Sequence, residues 1–329
     1  MTPPNAGWLV SPAFDLLGIA NLGWLLLLIP GAASDTDTAI SFWQIYFVTL
    51  PHRWITLVLV ALDGDRRTGR TRTLIGTAIL ALAIVAGVYI GTGALTCLAV
   101  VDFAWNAWHF GSQHAGVLRM YSLKAGAARS HVERWGLRLF VCYALLRTAA
   151  WTTGWTLGDS TWEQLRIVAD CLMFLMPLGV IASSVTNGRA TAGRLLYLFS
   201  VCSLYAGLLA AVAFGADGFV LPLMAASAVF HASEYLAIVT LYANRRKTVG
   251  SPGRFRSLAN RWPTFLLFYI VALGTVGVVL EGAGSLWAEL WLAVNVWAAL
   301  VHYSFDGLIW KLRAPATAQA LGAEAKGPN

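Results

Sequence analysis

Long apolar runs separated by short polar loops make up most of this chain. Ten of these runs are close to the roughly 20 residues that an α-helix needs to cross a bilayer. They cover residues 13–31, 40–62, 73–92, 95–119, 136–152, 163–185, 194–214, 219–243, 263–280 and 286–311. The pattern predicts an all-α fold, a polytopic membrane helical bundle of about ten transmembrane helices.

The composition agrees with a membrane protein, and the distribution of charge predicts its orientation. Hydrophobic residues make up 58% of the 329 residues and charged residues only 12%, against about 25% in soluble proteins. Lysine and arginine lie in alternate connections, at residues 63–72, 119–138, 186–194, 244–262 and 311–313. Because basic loops stay in the cytoplasm, both termini are predicted to be cytoplasmic. Topology then accounts for the net charge of +7, and no nucleic acid partner is expected.

No stretch of the sequence predicts a soluble domain. The connections between the apolar runs are short, and the residues after Arg313 are mostly small and polar. We therefore expect residues 1–313 to form a single transmembrane domain. Residues 314–329 are predicted to be a disordered cytoplasmic tail, because they carry too little apolar surface to offset the entropy of ordering.

Four histidines lie inside the even-numbered spans, which all run from the outside to the cytoplasm in this topology: His52, His109, His231 and His302. Each precedes the polar end of its span by 9–14 residues. At ~1.5 Å per residue, the rings lie about 14–21 Å from the inner membrane surface. Ionisable side chains at that depth are costly and functional by default. Four imidazoles in one layer predict one metal site with these residues as ligands.

Polar side chains lie one turn beyond each of these histidines. The residues at position i+4 share a helix face with the histidine; they are Thr56, Gln113, Tyr235 and Asp306. A metal-bound imidazole needs an acceptor for its other N–H, and Asp306 and Glu234 are the expected acceptors, on neighbouring helices. We predict positioning or catalytic roles for Gln113, His114, Glu234, Tyr235 and Asp306. Candidates for the substrate pocket are Trp105, Asn106, Trp108, Phe110 and Tyr303.

His114 has two interpretations. It follows His109 by five residues, so a regular helix turns it about 140° away from that ligand. A π-bulge between the two would realign the rings, and such bulges occur at functional sites. Without a bulge, His114 is a positioning or pathway residue.

The expected metal is iron. An all-imidazole site suits iron, copper, zinc or nickel, and no cysteine or methionine accompanies the histidine layer to favour Cu(I). Three or four imidazoles leave positions open on Fe(II) for O₂ and a substrate. Because the surroundings are hydrocarbon, we expect an apolar or lipid-like small molecule that enters from the bilayer. Another divalent transition metal is the alternative cofactor.

Four segments carry a resemblance to a known family: PHRWITLVLVALD, WHFGSQHAGVLRMY, FHASEY and HYSFDGLIWKLR. They resemble a distant, uncharacterised branch of the bacterial Brp/Blh-type integral membrane proteins, a family that includes β-carotene 15,15′-dioxygenases. The resemblance implies a multi-pass protein of the bacterial inner (cytoplasmic) membrane. It also implies a non-haem iron held by His52, His109, His231 and His302.

Together these features predict a membrane-embedded non-haem iron oxygenase that cleaves an alkene or oxidises a C–H bond. Two other functions stay open: a haem-binding electron-transfer protein and a proton- or metal-coupled transporter. Intramembrane histidines also serve simply as hydrogen-bonding residues between helices. A desaturase or alkane hydroxylase is excluded, because the six histidines form no HxxxH or HxxHH cluster.

Overall fold

The computed structural model describes residues 7–28, 43–154, 160–186 and 190–322, and no strand occurs among them. Nine helices within these ranges exceed twelve residues. They are α1 (Leu50–Leu62), α2 (Thr71–Thr92), α3 (Thr96–Lys124), α4 (His131–Thr152), α5 (Ser160–Thr186), α6 (Ala192–Ala213), α7 (Asp217–Arg246), α8 (Trp262–Gly282) and α9 (Ser285–Ile309). The all-helical prediction is confirmed for this part of the chain.

Within the described ranges, seven helical segments are long and apolar enough to cross a membrane. They are Ile45–Leu62, Thr71–Thr92, Thr161–Thr186, Ala192–Ala213, Asp217–Arg246, Trp262–Gly282 and Ser285–Ile309. The chain is thus a multi-pass membrane protein by the length and composition of its helices. Helices α3 and α4 coincide with two more predicted spans, but they carry more polar and charged side chains.

The first predicted span, residues 13–31, is not one regular helix. Its described part consists of the short helix Pro12–Phe14, a π-helical turn Asp15–Ile19 and a 3₁₀ segment Leu22–Leu28. Asn21 interrupts them with a φ of 43°, a left-handed conformation that an α-helix does not contain. Residues 29–31 lie outside the described ranges, so the predicted count of ten spans stays a prediction.

Asp15 gives the physical reason for this irregular start. Its buried carboxylate accepts hydrogen bonds from the backbone N–H of Leu9 at 2.5 Å and of Val10 at 3.0 Å. The hydroxyl of Tyr121 donates to it at 2.8 Å. A carboxylate inside an apolar stretch needs such donors. The two backbone hydrogen bonds hold Leu9 and Val10, which precede the span, in a non-helical conformation.

The contacts divide the chain into two compact units, where the sequence predicts a single domain. The first unit comprises residues 1–38, 106–234 and 323–329. The second comprises residues 39–105 and 235–322. Helices α3 and α7 each contribute residues to both units.

In the first unit, helices α4, α5 and α6 pack against one another. Gly136 on α4 lies against Val180 and Met176 of α5, where a Cβ would come within 2.8 Å of the Val180 side chain. Small residues at such crossings let membrane helices approach closely. A buried ion pair joins α6 to α4, since Arg194 donates to Glu133 at 2.5 Å.

In the second unit, α9 packs against α1, α2 and α8. A π-helical turn, Ile45–Thr49, precedes α1 and lies against α8 at Gly274. A Cβ on Gly274 would come within 2.6 Å of the Phe47 ring, so only glycine fits at this crossing. The apolar core is formed by Val60, Leu74, Ala81, Val85, Leu95, Leu98, Leu300, Val301, Phe305 and Ile309.

A polar network at the ends of α1 and α7 stabilises the second unit. Asp63, which is 1% exposed, accepts two hydrogen bonds from Arg246, from Nε at 3.1 Å and from Nη2 at 2.9 Å. It also accepts the hydroxyl proton of Tyr242. Arg66 in turn donates to Tyr242 at 3.0 Å and to Thr317 at 3.1 Å.

The contact with Thr317 holds part of the segment for which the sequence predicts disorder, residues 314–329. Within it the structure has a helix, Pro315–Leu321, and the side chains of Thr317, Ala320 and Leu321 are buried. Three alanines and one leucine are too weak a hydrophobic pattern to predict a docked helix. Residues 323–329 lie outside the described ranges.

We expect Asp63→Asn to lower the free energy of unfolding by about 3–5 kcal/mol, because it leaves the buried guanidinium of Arg246 without its paired charge. Chemical unfolding in detergent, followed by tryptophan fluorescence, measures the change. Asp65→Asn is the matched control: Asp65 also contacts Arg246, at 3.2 Å, but it is 24% exposed. Its loss should cost about 1 kcal/mol or less. Equal losses for the two variants would contradict this account.

Candidate metal centre

Two of the four intramembrane histidines form a buried pair in the second unit. His52 on α1 and His302 on α9 have ring centroids 5.0 Å apart, with the rings perpendicular. Their exposed fractions are 2% and 0%. Tyr235 contacts both rings, with its centroid 5.1 Å from that of His302 and 6.0 Å from that of His52.

The hydrogen bond of His52 fixes its tautomer. Its Nδ1 contacts the backbone carbonyl of Thr49. A carbonyl oxygen only accepts, so Nδ1 must carry the proton. In the neutral imidazole the lone pair is then on Nε2, which is the form that binds a metal.

The hydrogen bonds around His302 assign it the same tautomer as His52, with the proton on Nδ1. Tyr235 donates to Asp306 Oδ1 at 2.7 Å. Thr56 lies 2.6 Å from the Tyr235 oxygen and must therefore supply the proton of that bond. Because the Thr56 proton is used, the 2.8 Å contact between Thr56 and His302 is donated by Nδ1 of His302. The lone pair of His302 is again on Nε2.

The sequence prediction for this unit is thus partly met. Thr56, Tyr235 and Asp306 are brought together around His302, and Asp306 Oδ2 lies 3.7 Å from His302 Nε2. Asp306 thus lies beside the histidine of its own helix, at i+4. Trp310 completes the set by donating to the Tyr235 oxygen at 3.1 Å.

The other two histidines form a similar pair in the first unit. His109 on α3 and His231 on α7 have ring centroids 4.9 Å apart and an interplanar angle of 78°. Their exposed fractions are 7% and 0%. Phe110 stacks on His231 with a centroid distance of 3.8 Å, which covers one face of the imidazole with an apolar ring.

Beside this pair, Glu234 is the centre of a buried polar cluster. Tyr197 donates to Glu234 Oε1 at 2.5 Å, and Gln113 donates to Oε2 at 2.6 Å. Nδ1 of His114 lies 3.2 Å from Oε2, and since a carboxylate only accepts, Nδ1 carries the proton. Tyr205 lies 3.2 Å from the other nitrogen of His114, Nε2.

The cluster decides between the two interpretations of His114. Helix α3 is regular between His109 and His114, with no π-bulge. Both nitrogens of His114 already have hydrogen-bonding partners, Glu234 and Tyr205. The geometry therefore favours a positioning or pathway residue over a metal ligand.

The candidates for the substrate pocket divide into buried and exposed residues. Phe110 and Tyr303 are buried, and Tyr303 contacts His302 with a centroid distance of 5.6 Å. Trp105 and Trp108 are 38% and 39% exposed. Asn106 is half-buried. Burial beside a histidine thus supports Phe110 and Tyr303 as lining residues.

Three participants were not among the predicted site residues. They are Tyr197 and Tyr205 in the first unit and Trp310 in the second. The two tyrosines could have been recognised from the sequence, because a hydroxyl inside the apolar stretch LLYLFSVCSLYAGLL needs a hydrogen-bond partner. Trp310 lies at the end of its span, where a tryptophan is common for other reasons.

We expect Glu234→Leu to lower the free energy of unfolding by at least about 3 kcal/mol, because three buried donors lose their acceptor. Tyr205→Phe, which removes one neutral hydrogen bond of the same cluster, should cost about 1 kcal/mol. Chemical unfolding in detergent compares the two. A Glu234→Leu variant as stable as Tyr205→Phe would show that Glu234 does not organise the cluster.

No protein-family model, curated protein or solved structure matches this chain. The resemblance of four histidine-bearing segments to the Brp/Blh-type proteins therefore stays a prediction. What the chain does has to be argued from its two histidine pairs and their hydrogen bonds.

Proposed function

We propose that this protein is a membrane-embedded non-haem iron oxygenase that acts on a lipid-soluble substrate. His52, His109, His231 and His302 are the proposed ligands, in a bundle of ten spans with both termini in the cytoplasm of a bacterium. The proposed reaction is cleavage of an alkene or oxidation of a C–H bond. O₂ and an apolar small molecule from the bilayer are the reactants.

One observation carries this proposal: Nδ1 of both His52 and His302 contacts a hydrogen-bond acceptor, which assigns the lone pair to Nε2. The carbonyl of Thr49 accepts a hydrogen bond from Nδ1 of His52, and the hydroxyl of Thr56 accepts one from Nδ1 of His302. Such outer acceptors hold metal-binding imidazoles in the correct tautomer and orientation in known metal sites. Histidines that only join helices need no common tautomer.

The spacing of each pair fits two adjacent ligands of one ion. A metal lies about 2.1 Å from an imidazole nitrogen and therefore about 3.2 Å from the ring centre. Two ligands at an angle of about 90–109° then have ring centres about 4.5–5.2 Å apart. The measured centroid distances are 5.0 Å in the second unit and 4.9 Å in the first.

The protein's own contribution is positioning and exclusion of water. Bound iron(II) would supply the electrons that activate O₂ toward a C=C or C–H bond. The four imidazoles are at most 7% exposed, so water is kept from the reacting groups. Asp306, through Tyr235 and Thr56, holds the His302 ring in place. Phe110 and Tyr303 present apolar surface beside the histidines.

The same spacing disfavours the haem alternative. Imidazoles on opposite faces of a haem iron would have ring centres about 6.4 Å apart, twice the distance from metal to ring centre. The pairs are closer than that, and their rings are nearly perpendicular. Neither pair leaves room for a macrocycle between its rings.

A proton-coupled transporter is the second candidate function. It is favoured by the buried pair of His114 and Glu234, both 0% exposed, which links Tyr197 to Tyr205 through hydrogen bonds. Chains of ionisable side chains within a membrane are typical of proton relays. The metal content of the purified protein separates the two functions.

We expect detergent-purified protein to contain about one equivalent of iron, as the sequence predicts for four imidazoles that bind one ion. His52→Ala and His231→Ala, one from each pair, should each lose that whole equivalent. Inductively coupled plasma mass spectrometry measures the metal, and an unchanged elution volume on size exclusion shows that each variant is folded.

His114→Gln is the control, because both nitrogens of His114 serve the Glu234 cluster; it should retain iron. Two equivalents in the wild type, halved by either ligand variant, would show one ion per pair and overturn the prediction of a single site. A folded protein without any metal would overturn the oxygenase and favour the transporter.

We expect Thr56→Val to weaken metal binding about 10- to 100-fold, because valine has the shape of threonine but cannot accept the Nδ1 proton of His302. Thr56→Ser keeps the hydroxyl and should bind metal as the wild type does. Titration of the metal-free protein with Fe(II) under anaerobic conditions gives both affinities. A valine variant with wild-type affinity would show that Thr56 does not orient His302.

A further inference from the structure

Four arginines of the first unit lie close together where α3 ends and α4 begins: Arg119, Arg129, Arg134 and Arg138, called here the arginine cluster. Arg138 interacts electrostatically with Arg134 and Arg129, and Arg119 interacts with Arg129. Like charges at this range repel one another. The fold tolerates the repulsion only if something else compensates the positive charge.

The protein itself supplies only part of that compensation, through the electrostatic attraction of Glu133 for Arg119. Glu133, the carboxylate closest in sequence, is paired with Arg194 at 2.5 Å, and both side chains are buried. Within residues 7–28, 106–154, 160–186 and 190–234, no carboxylate forms an ion pair with any member of the arginine cluster. The Nε–H of Arg138 is buried and has no hydrogen-bond partner there. The cluster therefore has positive charge to offer to an anion.

Two tryptophans pack against two members of the arginine cluster, Arg134 and Arg138. Trp108 and Trp135 have ring centroids 6.1 Å apart. The guanidinium of Arg138 lies 5.7 Å from the Trp108 ring and 5.5 Å from the Trp135 ring, and Arg134 lies 5.2 Å from Trp135. Tryptophan with arginine is typical of the interface between lipid and water. This arrangement explains why Trp108 is exposed beside α4 rather than buried in a substrate pocket.

Beside the guanidinium groups, α4 presents exposed apolar side chains. Trp135 and Leu139, one turn apart on that face, are 41% and 46% exposed, and Val132 is 51% exposed. Residues at i and i+4 share a side of a helix. A ligand that lies there meets the guanidinium groups of Arg134 and Arg138 and the apolar side chains next to them.

We propose that the arginine cluster binds the phosphate group of an anionic phospholipid, with an acyl chain along the face formed by Val132, Trp135 and Leu139. Charge complementarity identifies the headgroup, and the exposed apolar face identifies a lipid rather than a free anion. Membrane topology alone requires only that basic residues lie in the loop. It does not require guanidinium groups stacked on tryptophan at half-buried positions. This proposal is independent of the histidine pairs.

Lipid binding by native mass spectrometry of delipidated protein in detergent tests the proposal, with dioleoyl phosphatidylglycerol and dioleoyl phosphatidylcholine as probes. The wild type should bind the anionic lipid in preference to the zwitterionic one. In an Arg134→Gln, Arg138→Gln double variant the affinity for phosphatidylglycerol should fall roughly 10- to 30-fold, since each arginine near an anionic headgroup contributes about a fivefold factor. Phosphatidylcholine binding should stay the same.

An Arg67→Gln, Arg72→Gln double variant is the matched control, because it removes the same charge from two exposed arginines of another basic connection. It should keep the lipid preference of the wild type. Equal binding of the two lipids by the wild type, or an equal loss in the control, would overturn the proposal. So would sodium phosphate raising the melting temperature as much as phosphatidylglycerol does, since the site would then serve a free anion.

Discussion

A carboxylate inside an apolar helix must collect hydrogen bonds from its own protein, because lipid has no donors to offer. The buried carboxylates of this chain follow that constraint. Asp15 accepts from two backbone amides and Tyr121, Glu234 from Tyr197 and Gln113, and Asp63 from Arg246 and Tyr242. The side-chain contacts among these join segments far apart in sequence. The polar groups within the spans thus determine which helices meet, while the apolar side chains fill the space between them.

The same constraint determines the chemistry of the second histidine pair. Because Asp306 accepts the Tyr235 proton, Tyr235 cannot donate to Thr56, and Thr56 cannot donate to His302. One carboxylate thereby sets the tautomer of an imidazole through two hydroxyl groups. Removing any link would let the ring choose its other tautomer. Residues that hydrogen-bond to a ligand affect metal affinity without touching the metal. Thr56 has this position in the proposed site, because it contacts Nδ1 of His302.

Much of the fold could be predicted from the sequence, since apolar run length and loop polarity set where a membrane helix begins and ends. Nine of the ten predicted spans coincide with helices. The first does not, because the hydrogen bonds of Asp15 come partly from distant Tyr121, and the apolar pattern shows none of them. For His114, the helical period alone gave the correct alternative, a ring turned away from His109. The partner of Glu234 could not be predicted, because helix rotation and side-chain rotamers decide which neighbouring histidine it reaches.

The difference between histidine and arginine explains where each lies. A neutral imidazole costs little once its N–H is accepted, so His52 and His302 can lie inside spans with hydroxyl and carbonyl partners. Arginine cannot lose its proton, so the arginine cluster lies at a helix start beside tryptophans. Arg53, inside α1, shows what a guanidinium within the span requires, because the carboxylate of Asp102 interacts with it electrostatically. A guanidinium within the span thus needs a full countercharge, whereas one at the helix start can take its countercharge from the lipid.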